Sequence, residues 1–179
     1  MRYKSTSIYL ILTPSFPDHP GAKPVAFSSR AASPVTSTKL DAGYNVDLTG
    51  KVAFVAGVAD STGYGWAIAK QLADAGATII VGTWPPVLKI FQIGLRKGDF
   101  DEDSQLSGGR KMEIDKIYPL DAVFDTPEDI PEDVLNNKRY KGLDGYTISE
   151  VAKQIEADYG KIDILVHSLA NGPEVVSNA

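Results

Sequence analysis

Residues 52–76 read VAFVAGVADSTGYGWAIAKQLADAG. They begin with a short apolar run, Val52 to Ala56, which is typical of a strand buried on both faces of a sheet. They end with an alanine-rich stretch, Trp66 to Ala75, whose apolar residues recur at helical spacing before Gly76. A buried strand joined to a helix by a glycine-rich turn predicts the first unit of an α/β fold.

The turn itself, Gly57 to Gly65, is called the glycine turn below. Bare backbone amides at the start of a helix bind phosphate, and glycine lets that backbone come close to a diphosphate. The spacing departs from the G-x-G-x-x-G pattern, because five residues separate Gly57 from Gly63. On the residues alone, the turn is either a diphosphate site or a glycine-rich connection without a ligand.

Strand-like and helix-like segments alternate along the rest of the chain. Predicted strands follow at residues 78–81, 113–120 and 162–166, and predicted helices at residues 87–95 and 147–159. The acidic stretch 121–133 predicts a long loop. This order predicts an α/β fold, namely a partial Rossmann-like doubly wound parallel sheet of about four strands with flanking helices.

The first 45 residues differ in composition from the remainder. They are basic, rich in Ser, Thr and Pro, and almost free of acids. Such a segment cannot bury enough surface to offset its chain entropy, so we expect a disordered leader outside the fold. Its composition suits an organellar transit segment, and a plain disordered tail is the alternative.

Composition also excludes several classes of function. The chain has no cysteine and only two histidines, far apart in sequence, so no metal site is predicted. The net charge is −5, and the basic pairs Arg96–Lys97 and Arg110–Lys111 are too short to form a phosphate-binding surface, so no nucleic-acid partner is expected. No apolar run approaches the ~20 residues that cross a bilayer, so no membrane span is expected.

The end of the second predicted strand bears on which dinucleotide would bind. No Asp or Glu ends this strand, where an acidic residue usually accepts from the adenosine ribose. Trp84 follows instead. Its face could stack on adenine, and the alternative on the residues alone is a partly buried Trp that packs under the next helix. No Arg or Lys lies immediately beyond to pair with a 2′-phosphate, which favours NADH over NADPH.

Four blocks of sequence together resemble the plant enoyl-[acyl-carrier-protein] reductases, a divergent branch of the short-chain dehydrogenases. They occur in the family's order over roughly residues 47–175, at residues 57–70, 81–85, 118–125 and 162–174. The resemblance implies that residues 1–45 are a chloroplast transit leader. Residues 46–179 would be the N-terminal part of an NAD-binding Rossmann domain.

The resemblance also implies a reaction and partners. The full-length family member reduces the trans-2 double bond of an enoyl thioester on acyl carrier protein with NADH, and forms a homotetramer. Cofactor-binding residues carry over position by position. Gly57, Ala59, Gly63 and Tyr64 would line the diphosphate and ribose, Trp84, Asp121 and Ala122 would hold the adenine, and Ser168, Leu169 and Ala170 would run beneath the nicotinamide-side ribose.

No catalytic residue is predicted within this chain. The family's catalytic tyrosine and lysine lie downstream of the fourth strand, so we expect them beyond Ala179 and expect no hydride transfer from this chain alone. Tyr146 and Lys153 have the family's spacing but precede that strand, so they are excluded. His167 directly follows the strand and is interpreted as a strand-end residue rather than a general base.

Two other functions stay open at this point. One is a noncatalytic remnant, which would bind NAD through the glycine turn but would not transfer hydride. A relative of the 3-oxoacyl-[acyl-carrier-protein] reductases is less well matched. Those proteins carry a T-G-x-x-x-G-I-G turn and an N-N-A-G segment, whereas this chain has Gly57 to Gly65 and Ser168 to Asn171 at those places.

Overall fold

A single sheet organises the structure, a computed structural model that describes residues 9–12 and 46–169. Its strands are β1 Tyr9–Leu12, β2 Val52–Ala56, β3 Thr78–Thr83, β4 Ile114–Pro119 and β5 Ile164–His167. They lie in the order β1-β5-β2-β3-β4. Strands β2 to β5 are mutually parallel, which confirms the predicted four-stranded parallel sheet.

The connections between the parallel strands carry most of the helical structure. The helices are α1 Tyr64–Asp74, α2 Pro85–Lys97, α3 Glu132–Leu135 and α4 Ile148–Tyr159. Helix α2 takes both prolines into its first turn, where no intrahelical amide is needed. Helix α4 opens as predicted, because Glu150 accepts from the backbone N–H and the hydroxyl of Thr147 at 3.3 and 2.6 Å.

Side-chain alternation along the strands divides the core into two layers. Ala53 and Val55 face one side of β2 and pack with buried residues of α1 and α2. Phe54 and Ala56 face the other side and pack with buried residues of α4, among them Val151. Helices therefore cover both faces, as a doubly wound sheet requires.

At the β5 edge of the sheet, the structure differs from the predicted position of the leader. The sequence predicts a leader wholly outside the fold, but Tyr9–Leu12 forms β1 and pairs antiparallel with all four residues of β5. The physical reason is that the outer edge of β5 would otherwise present unpaired backbone groups, which an extended segment satisfies. The rest of residues 1–45 lies outside the described residues, so its disorder stays a prediction.

The connection from β4 to α4 is more ordered than the predicted loop. It contains a 3₁₀ turn, Pro127–Asp129, and the short helix α3. Phe124, Tyr140 and Tyr146 form a small buried cluster beneath it. This aromatic cluster gives the segment its own apolar contacts, which an acidic, proline-rich sequence does not reveal.

The order of the strands reverses between β2 and β5. The chain moves from β2 outward to β3 and β4, and then returns to the other side of β2 as β5. In open α/β sheets, ligands bind at the carboxyl ends of the strands at such a switch point. The fold therefore directs attention to the residues after β2 and β5. None of the helices in residues 46–169 is long and apolar enough to span a bilayer.

Candidate cofactor site

Gly57 and Ser168 meet at the switch point. Gly57 has a φ of 102°, and a Cβ added to it would lie 2.3 Å from the carbonyl oxygen of Ser168. The Ser168 amide in turn donates to the carbonyl of Ala56 at 2.7 Å. Only glycine combines this backbone conformation with so close an approach. The segments predicted to contact the diphosphate and the nicotinamide-side ribose therefore lie against each other.

Several amides of the glycine turn are already used within the protein. Those of Gly57 and Val58 donate to the carbonyl of Gly82 at 2.9 and 3.1 Å. Those of Thr62 and Gly63 donate to Oδ1 of Asp60 at 2.8 and 2.9 Å. These four donors hold the shape of the turn and are not available for a ligand.

The donors that remain lie at the start of α1. Gly63 is the N-cap and provides no side-chain cap. Within the described residues, the amides of Tyr64, Gly65 and Trp66 have no acceptor, since the first hydrogen bond of the helix comes from Ala67. A Cβ on Gly65 would lie 2.4 Å from the carbonyl of Gly57, so the helix starts directly against the end of β2. Free amides and the helix dipole together favour an anion here.

Contacts from outside the turn hold it in place. The buried hydroxyl of Thr83, at the end of β3, donates to the carbonyl of Val58 at 2.7 Å. The indole N–H of Trp66 donates to the carbonyl of Asp103 at 3.2 Å, and the Ser61 hydroxyl donates to the Asp103 carboxylate. Sequence reasoning gave Thr83 and Asp103 no role, although Thr83 stands in the matched block 81–85, because both act only through tertiary contacts.

The predicted adenine residues lie at the ends of β3 and β4. The indole N–H of Trp84 donates to Oδ2 of Asp121 at 3.2 Å, so the structure brings these two residues together. The hydroxyl of Tyr140 donates to the same oxygen at 2.6 Å. We call Trp84, Asp121 and Tyr140 the carboxylate corner. Tyr140 was missed from the sequence, and only its aromatic character within a polar loop could have drawn attention to it.

Burial differs sharply within the carboxylate corner. Asp121 is 5% exposed and Tyr140 is 7% exposed, whereas Trp84 keeps 42% of its surface in solvent. Burial, and next the hydrogen bond to Asp121, raise the pKa of Tyr140 above its ordinary value. The phenol therefore stays protonated and donates to the carboxylate at neutral pH, while an exposed indole face remains for stacking.

The other predicted residues are placed as follows. Ala59, Gly63 and Tyr64 are exposed along the turn, Ala122 and Leu169 are half-buried, and Ser168 is buried. Ala170 lies outside the described residues. Tyr146 is 4% exposed within the aromatic cluster and Lys153 is exposed, so this pair is not a catalytic couple. His167 is the exposed last residue of β5.

A groove of about 420 Å³ lies elsewhere, between the start of β3 and residues 110–115. It is lined by Ala77, Thr78 and Ile114, at the ends of the strands opposite to the glycine turn. The groove shares no residue with the predicted site. It is therefore not part of a cofactor site at the switch point.

Comparison with known proteins gives several strong matches, although no family model matches the chain. It is 58% identical over 153 residues to an enoyl-[acyl-carrier-protein] reductase [NADH], chloroplastic, of Arabidopsis thaliana, covering 86% of this chain and 39% of that protein. It is 64% identical over 133 residues to reductase 2 of the same name from Oryza sativa subsp. japonica, covering 74% of this chain and 36% of that protein.

A solved structure agrees with these relatives. The crystal structure of Plasmodium berghei enoyl-acyl-carrier-protein reductase with triclosan matches at a TM-score of 0.67 and 51% identity, covering 70% of this chain and 44% of that one. The chain thus spans about two fifths of the length of the curated plant relatives. Those plant relatives are all named chloroplastic, in agreement with the expected location. The chain belongs to the family of NADH-dependent enoyl-[acyl-carrier-protein] reductases.

Proposed function

We propose that this chain provides the NADH-binding part of a plastid enoyl-[acyl-carrier-protein] reductase, and that the whole protein reduces trans-2-enoyl thioesters on acyl carrier protein. The observation that carries the proposal is the position of the glycine turn at the switch point. Its unoccupied helix-start amides lie beside the end of β5. A dinucleotide's diphosphate suits that place because it is anionic and extends across both halves of such a sheet.

The residues of the site fit NADH in their chemistry. The amides of Tyr64 and Gly65 would hold the diphosphate, and the small residues Gly57 and Ala59 would let it approach. Trp84 offers an exposed face to the adenine, and the Asp121 carboxylate is an acceptor for its exocyclic amine. When bound, NADH supplies the hydride that the reduction needs.

The nicotinamide end would lie at the other side of the switch point. Ser168 and Leu169 follow β5 directly, and the backbone of Ser168 is packed against Gly57. We propose that these residues, with Ala170, support the nicotinamide-side ribose. This arrangement would point the reactive ring toward the part of the protein that receives the enoyl thioester.

The residues directly after β3 offer no charged partner for a 2′-phosphate, which favours NADH over NADPH. A 2′-phosphate is usually paired with Arg or Lys, and neither occurs between Trp84 and Leu88. The Asp121 carboxylate at the same end would repel an additional phosphate. We also propose, from membership of the family, that the whole protein forms a homotetramer and binds acyl carrier protein.

Two substitutions at one position test the diphosphate site. Gly63→Asp places a carboxylate at the N-cap of α1, and Gly63→Asn places a neutral side chain of the same shape there. Gly63 has φ −79° and ψ 158°, which suits either residue as an N-cap. Both variants should fold, the Asp variant being the less stable because Asp60 Oδ1 lies 3.6 Å from the new Cβ. The Asp variant should bind NADH at least ~10-fold more weakly than the Asn variant, because its charge repels the diphosphate.

Calorimetric titration with NADH measures this difference, and thermal unfolding shows that both variants fold. Equal NADH affinity in the two variants would contradict a diphosphate at the helix start. For the whole protein, NADH oxidation with a crotonyl thioester tests the reaction. Binding of NADH without turnover there would favour a noncatalytic remnant, and turnover only with a β-ketoacyl thioester would favour 3-oxoacyl reduction.

A further inference from the structure

Three donors hold the Asp121 carboxylate from different directions. The Tyr140 hydroxyl and the Trp84 indole N–H donate to Oδ2 at 2.6 and 3.2 Å. The backbone N–H of Val123 donates to Oδ1 at 3.2 Å. A carboxylate carries two lone pairs on each oxygen, so Oδ2 is filled and Oδ1 can accept one more donor. The carboxylate is thus arranged to receive a single N–H.

Tyr140 is the donor best able to fix this arrangement. Its hydrogen bond is short and is made to a charged acceptor, which is the stronger kind of side-chain hydrogen bond. Its ring packs edge-on against Tyr146, with ring centroids 5.3 Å apart, and belongs to the buried aromatic cluster with Phe124. Trp84, by contrast, keeps 42% of its surface in solvent, so packing fixes its position less firmly than that of Tyr140.

The backbone around Asp121 fixes the carboxylate only in part, through the Val123 N–H that donates to Oδ1. Asp121 is anchored through its amide to the carbonyl of Tyr146 at 2.8 Å, but that bond leaves the side-chain torsions free. The hydrogen bonds to the two carboxylate oxygens determine which lone pair remains for a ligand. Among these, the bond from Tyr140 is the one whose donor is held by packing on a separate part of the chain.

We propose that Tyr140 is a positioning residue of the cofactor site, which orients Asp121 so that Oδ1 receives the exocyclic amine of adenine and Oδ2 holds the Trp84 indole beside it. This inference rests on the proposed NADH site and extends it to a residue of the β4–α4 connection. The raised pKa of Tyr140 agrees with this role, because the hydroxyl remains a donor at neutral pH.

The test pairs two substitutions with two ligands. Tyr140→Phe removes the orienting hydroxyl, and Tyr146→Phe removes a neighbouring hydroxyl that makes no hydrogen bond to the described residues. NADH carries the exocyclic amine, whereas deamino-NADH has a carbonyl oxygen in its place. We expect Tyr140→Phe to weaken NADH binding about 10-fold and deamino-NADH binding only about 3-fold, because both purines stack on Trp84 but only adenine donates to Oδ1. Tyr146→Phe should change neither affinity by more than about 2-fold.

Several results of these titrations would overturn the inference. If Tyr140→Phe weakens both ligands equally, the residue is merely structural. If the wild-type chain binds NADH and Tyr140→Phe binds it equally well, the inference fails while the proposed function stands. If the wild-type chain binds neither nucleotide, the proposed function fails for this chain, and the inference fails with it.

A measurement without nucleotide tests the positioning directly. The NMR chemical shift of the Trp84 indole N–H should change on Tyr140→Phe, while that of the Trp66 indole N–H stays the same. An unmoved Trp84 resonance would overturn the role of Tyr140. Should Tyr140→Phe fail to fold, hydrogen exchange in the wild-type chain decides. A Trp84 indole N–H that exchanges as fast as a solvent-exposed one would show that it is not held by the carboxylate.

Discussion

The glycine turn and the carboxylate corner would hold opposite parts of the same dinucleotide, but they are built differently. The glycine turn lies within nine consecutive residues and acts through backbone amides and the absence of side chains. The carboxylate corner gathers Trp84, Asp121 and Tyr140 from three separate segments and acts through side-chain polar atoms.

This difference governs how each region tolerates change. At Gly57 and Gly65 of the glycine turn, a single methyl group meets backbone atoms that cannot move aside. In the carboxylate corner, the donors share one carboxylate, so removing one of them also affects the bonds of the others. Substitutions should therefore separate a steric effect in one region from a coupled hydrogen-bond effect in the other.

The largest effect is expected for Gly57→Ala. The new Cβ would lie 2.3 Å from the Ser168 carbonyl oxygen at a φ of 102°, so strain and overlap combine to a loss of about 3 kcal/mol or more. Gly50→Ala is the control, since Gly50 also has a positive φ, 77°, but open space around it. That variant should lose only about 1 kcal/mol. Urea unfolding measures both, and equal losses would argue against close packing at the switch point.

Next in size is Asp121→Ala in the carboxylate corner. It leaves the buried Tyr140 hydroxyl without its acceptor, which should cost about 2 kcal/mol of unfolding free energy. Adding Tyr140→Phe should recover part of that loss, because the unpaired hydroxyl is then gone. The double-mutant cycle, again by urea unfolding, should give a coupling of about 1 kcal/mol. Additive losses would mean that the two side chains are not coupled.

Thr83 lies between the glycine turn, which it contacts at Val58, and Trp84 of the carboxylate corner. Thr83→Val should have a smaller effect. The Thr83 hydroxyl donates to the Val58 carbonyl at 2.7 Å inside the core, and valine has nearly the same shape without the donor. A loss of about 1 kcal/mol is expected from this one buried hydrogen bond. Thermal unfolding measures the loss, and NADH titration should show weaker binding if the bond also holds the turn. An unchanged stability together with an unchanged NADH affinity would show that the Thr83 hydroxyl does not hold the turn.

The smallest effect is expected for Asp60→Asn, and it depends on pH. The Thr62 hydroxyl, followed by the amides of Thr62 and Gly63, lowers the pKa of Asp60 against the opposing effect of partial burial. Because the folded pKa lies below the unfolded one, the charged carboxylate stabilises the fold above about pH 4, and this contribution is lost as the pH falls through the folded pKa.

The difference between Asp60→Asn and the wild type should therefore shrink in acid. Since Asp60 is exposed, it should stay well under about 1 kcal/mol even at neutral pH. The free energy of unfolding of both proteins, followed from neutral pH into acid, measures it. A difference that grows as the pH falls would contradict the assigned role of these hydrogen bonds.

Much of the fold followed from local sequence signals. The buried strand β2, the amphipathic α1, the prolines that open α2 and the Thr147–Glu150 pair each depend on neighbours within a few residues. Local patterns could not place β1, because pairing with β5 joins segments about 150 residues apart. They also missed the ordered structure between β4 and α4, where three aromatic residues of the same connection supply the buried surface.

For the site, the sequence alone determined the glycine turn and its likeness to a known family, because backbone conformation and the lack of a Cβ are properties of consecutive residues. The tertiary structure decided which amides remain free, that Gly57 packs against Ser168, and that Tyr140 reaches Asp121. Such contacts join residues that are remote along the chain, and their distances are set by how the strands and helices pack rather than by any local pattern.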